Sequence, residues 1–134
     1  MMVKTVESRT IGVSISRERD EVYQFLAEPA NFPLWASGLC KSIRPHGELW
    51  IAETRRGPVK VRFTAPNAFG IVDHYVSASS DSEIYVPMRV IANGAGCEVL
   101  LTLFRQPGMS DAKFGEDVHW VERDLQVLKT RLEK

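Results

Sequence analysis

The chain has 134 residues, 44% hydrophobic and 25% charged, which is enough for one domain (1–134) with its own core. Basic and acidic residues number 17 each, and a formal net charge of zero argues against a general nucleic-acid binder, which carries a basic excess. No apolar run approaches the roughly 18 residues of a membrane span, and the start has no signal-peptide core, so the expectation is a cytoplasmic protein without integral membrane association.

In chain order, Val3 to Ile15 predicts a first strand, clearest where Ile11, Val13 and Ile15 alternate with Gly12 and Ser14. Ser16 is placed to cap a helix whose first turn carries Glu18, Asp20 and Glu21 and whose buried face is Val22, Phe25 and Leu26. Pro29 ends it, and Asn31-Phe32-Pro33-Leu34-Trp35 forms a second short helix or turn. Strands follow over Leu39–Arg44, Glu48–Thr54, Val59–Ala65, Phe69–Ala78, Glu83–Ala92 and Cys97–Arg105. They are separated by Pro45-His46-Gly47, Arg55-Arg56-Gly57-Pro58, Pro66-Asn67, the polar run Ser77 to Ser82, and the hairpin turn Asn93-Gly94-Ala95-Gly96. Last comes a long helix capped by Ser110, with Phe114, Val118, Val121, Leu125, Leu128 and Leu132 on one stripe. That stripe needs a partner, and the preceding strands are the available one.

Three stretches carry a family resemblance. Val13 through Leu26 resembles the first strand and helix of the START-like (SRPBCC) superfamily, which includes the birch-pollen-allergen family and the polyketide cyclase/dehydrase and lipid-transport group. Glu28 through Trp35 resembles its helix-turn segment, and Asn93 through Leu132 resembles its final hairpin and gripping helix. The resemblance implies an α+β helix-grip fold, a curved antiparallel sheet of about seven strands wrapped on the C-terminal helix, with two short helices after the first strand. It also implies a cavity between sheet and helix for a hydrophobic or amphipathic small molecule. It transfers no reaction.

Alternation puts Asp73 and His74 on opposite faces of their strand. The phase is open, and the reading adopted is His74 inside with Val72 and Val76. In the next strand Val86 and Met88 join Ile84 and Val90 on the apolar face, which turns Tyr85 and Arg89 outward unless a kink at Pro87 re-aims them. The candidate ligand wall is Trp35, Trp50, Phe63, His74, Val86, Met88, Phe114, Val118 and Val121. The plainer alternatives are a satisfied His74, a surface ion pair for Arg89 and core packing for the aromatics.

Other chemistry is thin. His46, His74 and His119 lack metal-ligand spacing, no phosphate loop or nucleophile elbow is present, and Cys40 and Cys97 have no His nearby in sequence. Neither a metal nor a cofactor is expected. Glu53 and Asp73 are carboxylates that could meet across the sheet. The leading expectation is binding of a lipid-, polyketide- or aromatic-like molecule. The alternatives are a cyclase/dehydrase-type enzyme, with His74 or Asp73 as acid/base and Tyr85 or Arg89 holding a carbonyl oxygen, or an interaction module such as a chaperone co-factor. A homodimer is left open.

Overall fold

The computed structural model describes residues 2–79 and 82–134. Residues 80 and 81 of the predicted polar run lie outside the described residues. The elements are β1 (Ser8–Ile15), α1 (Arg19–Ala27), a 3-10 turn (Pro29–Asn31), α2 (Phe32–Trp35), β2 (Ser42–His46), β3 (Leu49–Thr54), β4 (Gly57–Phe63), β5 (His74–Ser79), β6 (Ser82–Val86), β7 (Met88–Asn93), β8 (Gly96–Phe104) and α3 (Asp111–Leu132). All strand pairs are antiparallel, in the orders β1-β8-β7 and β2-β3-β4-β5-β6. This is the expected α+β helix-grip architecture.

The predicted strand Glu83–Ala92 divides at Pro87. That residue has no N–H to donate, so the ladder breaks there. Val86 pairs with His74 on one side of the break and Met88 with Leu101 on the other. The predicted strand Phe69–Ala78 divides at the same level. Its first part runs beside β7, where the Val72 N–H donates to the Met88 carbonyl at 3.0 Å and the Val90 N–H to the Gly70 carbonyl at 2.9 Å. Gly70 has φ +73°, and a Cβ there would run into the Val90 carbonyl oxygen, so only glycine fits.

Three local expectations need correction. β1 starts at Ser8, and residues 3 to 7 make no strand. The N-cap of α1 is Glu18 without a side-chain bond; Ser16 lies two positions ahead of it, and its N–H donates to Glu133 Oε2 at 2.7 Å. Pro45 does not break β2 but pairs with Trp50 inside it, which an edge strand tolerates.

Helix α3 begins as expected, with Ser110 accepting the Lys113 N–H at 3.1 Å. It lies along β1 and against α2. Phe114, Val118, Leu125 and Leu128 of its stripe are buried, and Val121 and Leu132 are half-buried. Its C-terminal end is tied to the end of β1, since Lys129 Nζ donates to the Ser14 carbonyl at 2.6 Å and Arg17 Nε to the Leu132 carbonyl at 2.7 Å. Among the described residues no helix is long and apolar enough to cross a membrane. Cys40 and Cys97 are buried free thiols, and burial pushes Cys40 up to about 11, so it stays protonated.

Candidate functional site

Register fixes which side chains share the inner face of the sheet. Trp50 opposes Val61, Val61 opposes Val76 and Val76 opposes Ile84, which makes one row across four strands. A second row runs Phe63, His74, Val86. Val61 is 1% exposed and belongs to the core, so both rows face α2 and α3. The phase left open in the sequence resolves with His74 inside.

The inner face is not uniformly sealed. Towards β7 and β8 it is closed, with Met88, Val90, Val99 and Leu101 at 4% exposure or less. Towards β3–β6 it opens in part: Ala52, Val61, His74 and Val86 are sealed at 9% or less, whereas Trp50, Val59, Phe63 and Val76 are half-buried and Ile84 is 39% exposed. Apolar side chains on a concave face that keep water contact form a partly open apolar wall. Two surface clefts lie elsewhere. One, about 330 Å³, sits between Ser14–Ser16 and Asn93–Cys97; the other, about 450 Å³, is on the outer side of α3 along His119, Glu122, Arg123, Gln126 and Val127.

Phe32 of α2 organises the aromatic part of the wall. Its ring centre lies 5.5 Å from Trp35, 5.5 Å from Phe63 and 5.4 Å from His74, each in an edge-on arrangement. His74 is 4% exposed and hydrogen-bonded to the Val72 backbone. Burial pushes its imidazole from 6.5 down to about 4, so it is neutral at physiological pH. Of the predicted wall residues, Trp35, Val86 and Met88 belong to the central core and Phe63 and Val121 pack against it; His74 packs on Phe32 and Phe63, Trp50 is half-buried outside that cluster, and Phe114 and Val118 are buried outside it.

The four catalytic candidates separate. Asp73, Tyr85 and Arg89 meet on the outer face. Tyr85 Oη donates to Asp73 Oδ2 at 2.8 Å, the Met88 N–H donates to Asp73 Oδ1 at 2.8 Å, and Arg89 Nη1 donates to that same Oδ1. The carboxylate thus binds the backbone just past the Pro87 break, which explains how a 6% exposed Asp73 is tolerated. Tyr85 also stacks between Tyr75 (5.0 Å) and Phe104 (6.3 Å), and Arg62 covers Tyr75 at 4.0 Å. Glu53 pairs with Arg44 and does not meet Asp73.

Sequence reasoning missed Phe32 and Asp124 and read Ile84 only in part. Phe32 gave no signal beyond its place in the helix-turn segment. Ile84 was read as wall but not as its exposed end. Asp124, on the flank of the α3 stripe, is 8% exposed, accepts the Gly38 N–H at 3.4 Å, and is raised by burial from 3.8 to about 6. Among the described residues no His/Cys/Asp/Glu group is arranged to hold a metal ion.

No family model and no curated protein matches the chain. Its fold does match solved structures. The Aha1 dimer from Colwellia psychrerythraea superposes with a TM-score of 0.73 at 15% identity, covering 95% of this chain and 96% of that one. The di-domain ARO/CYC protein BexL from the BE-7585A biosynthetic pathway gives 0.71 at 20% identity over 95% of this chain and 46% of that one. A START superfamily protein from Mycobacterium smegmatis gives 0.68 at 9% identity, with coverages of 93% and 98%.

Proposed function

Starting from a chain with the START-like helix-grip fold, we propose that this protein binds a hydrophobic or amphipathic small molecule between the inner face of β3–β6 and helix α3. The observation that carries this reading is the graded inner face. The same concave surface is sealed at Val90 and Val99, both 0% exposed, and opens through Val76 to Ile84 at 39%. An apolar row that runs from core to solvent gives an apolar ligand a surface continuous with the core. Roughly 25 cal/mol per Å² of apolar surface is the driving force available there.

The enzyme reading draws less support. Acid/base chemistry needs two polar groups converging on one reacting atom. Asp73, Tyr85 and Arg89 bond to one another on the outer face, and His74 bonds to the Val72 backbone and packs on Phe32 and Phe63 on the inner one.

The test is native mass spectrometry of the protein after incubation with a mixed lipid and aromatic extract, followed by denaturing extraction. Retention of one apolar molecule per chain supports the reading. A protein that stays bare across lipid, polyketide and aromatic classes counts against it.

A further inference from the structure

Thr54 and Gly57 close the β3–β4 hairpin, and Arg55 and Arg56 form its exposed tip. That tip reaches helix α3. The Arg55 guanidinium carbon lies 5.4 Å from the centre of the Trp120 ring, and Arg123, about one turn further along α3, lies 4.8 Å from it. The indole rests on the loop after α2, where a Cβ on Gly38 would meet Trp120 Cε3 at 2.5 Å. Hairpin tip, long helix and loop therefore meet on one side chain, at the end where the Trp50–Ala52–Thr54 row of the inner face runs out.

Each guanidinium is drawn to the electron-rich face of the indole. Elsewhere Arg44, Arg62, Arg89 and Arg105 each hold a carboxylate. Among the described residues no ion pair engages Arg55 or Arg123. The carboxylate that Arg123 influences, Asp124, is buried and turned to the Gly38 N–H. In a chain of zero net charge, two exposed cations from separate elements share one indole with no ion-pair partner among the described residues.

We propose that Arg55, Arg123 and Trp120 form a carboxylate-binding rim, so that the ligand of the interior is an amphipathic monocarboxylate with its head on the guanidiniums and its tail along the Trp50–Val76 row. This rests on the interior-binding reading and adds the head group to it. A guanidinium stacked on a ring keeps N–H groups to donate, and its planar fork matches a carboxylate.

Dodecanoate and dodecanol share a tail and differ in the head, so calorimetric titration with both separates the two claims. At neutral pH and low salt the natural chain binds dodecanoate about ten-fold more tightly than dodecanol or better. The Arg55→Gln/Arg123→Gln variant loses that preference and keeps its dodecanol affinity. Added salt narrows the preference in the natural chain only. Both arginines are exposed, so circular dichroism of the variant stays unchanged; the single variants, each losing part of the preference, provide an independent reading. Equal affinities in the natural chain, or a preference that survives in the double variant, overturn the rim and leave the interior reading standing. Binding of neither probe overturns both.

Discussion

Asp73 and His74 are consecutive residues, both buried, and they serve opposite faces of the sheet. The Asp73 carboxylate ties the outer face together through Tyr85 and Arg89, while the His74 ring packs 5.4 Å from Phe32 on the inner face. The break at Pro87 makes this possible, because it turns the Met88 N–H towards Asp73 Oδ1.

The outer cluster is a brace in this account. Asp73→Ala leaves the Met88 N–H and the Arg89 guanidinium without their acceptor and is expected to cost roughly 2–3 kcal/mol in urea unfolding. Tyr85→Phe is expected to cost about 1 kcal/mol. Binding of dodecanol to the folded variants stays unchanged. A loss of binding with stability intact would move the site to the outer face.

Two isoleucines make a matched comparison. Ile84 is 39% exposed on the inner face and Ile91 is 45% exposed on the outer face. An aspartate at either position costs little stability, since both already meet water. Ile84→Asp is expected to weaken dodecanol binding by about ten-fold or more, because it places a charge on the ligand wall, and Ile91→Asp to leave it unchanged. Equal effects in the same titration would contradict the inner-wall assignment.

Stability should carry two opposed pH dependences. His74 is pushed down from 6.5 to about 4, so between those values the unfolded chain takes a proton that the folded chain refuses. Its contribution is full above about 6.5 and is lost as pH falls through the window. Asp124 is raised from 3.8 to about 6, so the folded chain holds a proton that the unfolded chain releases. Its ionisation therefore costs stability as pH rises through that window. Asp124→Asn is expected to gain on the order of 2 kcal/mol at neutral pH and to expose a steeper loss on acidification. His74→Phe is expected to remove that acid loss. Urea midpoints across the window check both slopes.

Leu125, 1% exposed in the middle of the α3 stripe, is the point where the helix is most exposed to sabotage. Leu125→Asp buries an unpaired charge and is expected to unfold the domain, at a cost above about 4 kcal/mol. A folded variant with an unchanged melting temperature would contradict the packing of α3 described above.

Helix α3 was legible in the sequence because a long amphipathic stripe, a serine cap and a Pro-Gly break agree with one another. The order of elements was legible for the same reason. Residues whose role depends on register were harder: alternation says that Asp73 and His74 face opposite ways, and only pairing with Phe63 and Val86 says which is inside. The extent of β5 and β6 depended on Pro87, whose break draws residues 70–73 beside β7. Contacts between remote segments left no local signal. Arg55 on Trp120, and Asp124 at Gly38, join a helix to a hairpin tip and a loop through side chains whose spacing along the chain follows no period.

A chemical-shift map with dodecanol reads directly where the ligand sits. Isotope-labelled protein offers the Trp50 indole N–H and the methyls of Val76 and Ile84 as inner probes, with Ile91 and Leu100 as outer ones. Saturating dodecanol is expected to shift the inner set and leave the outer set in place. Shifts confined to Ile91 and Leu100, or no shifts at the solubility limit of the probe, would contradict it.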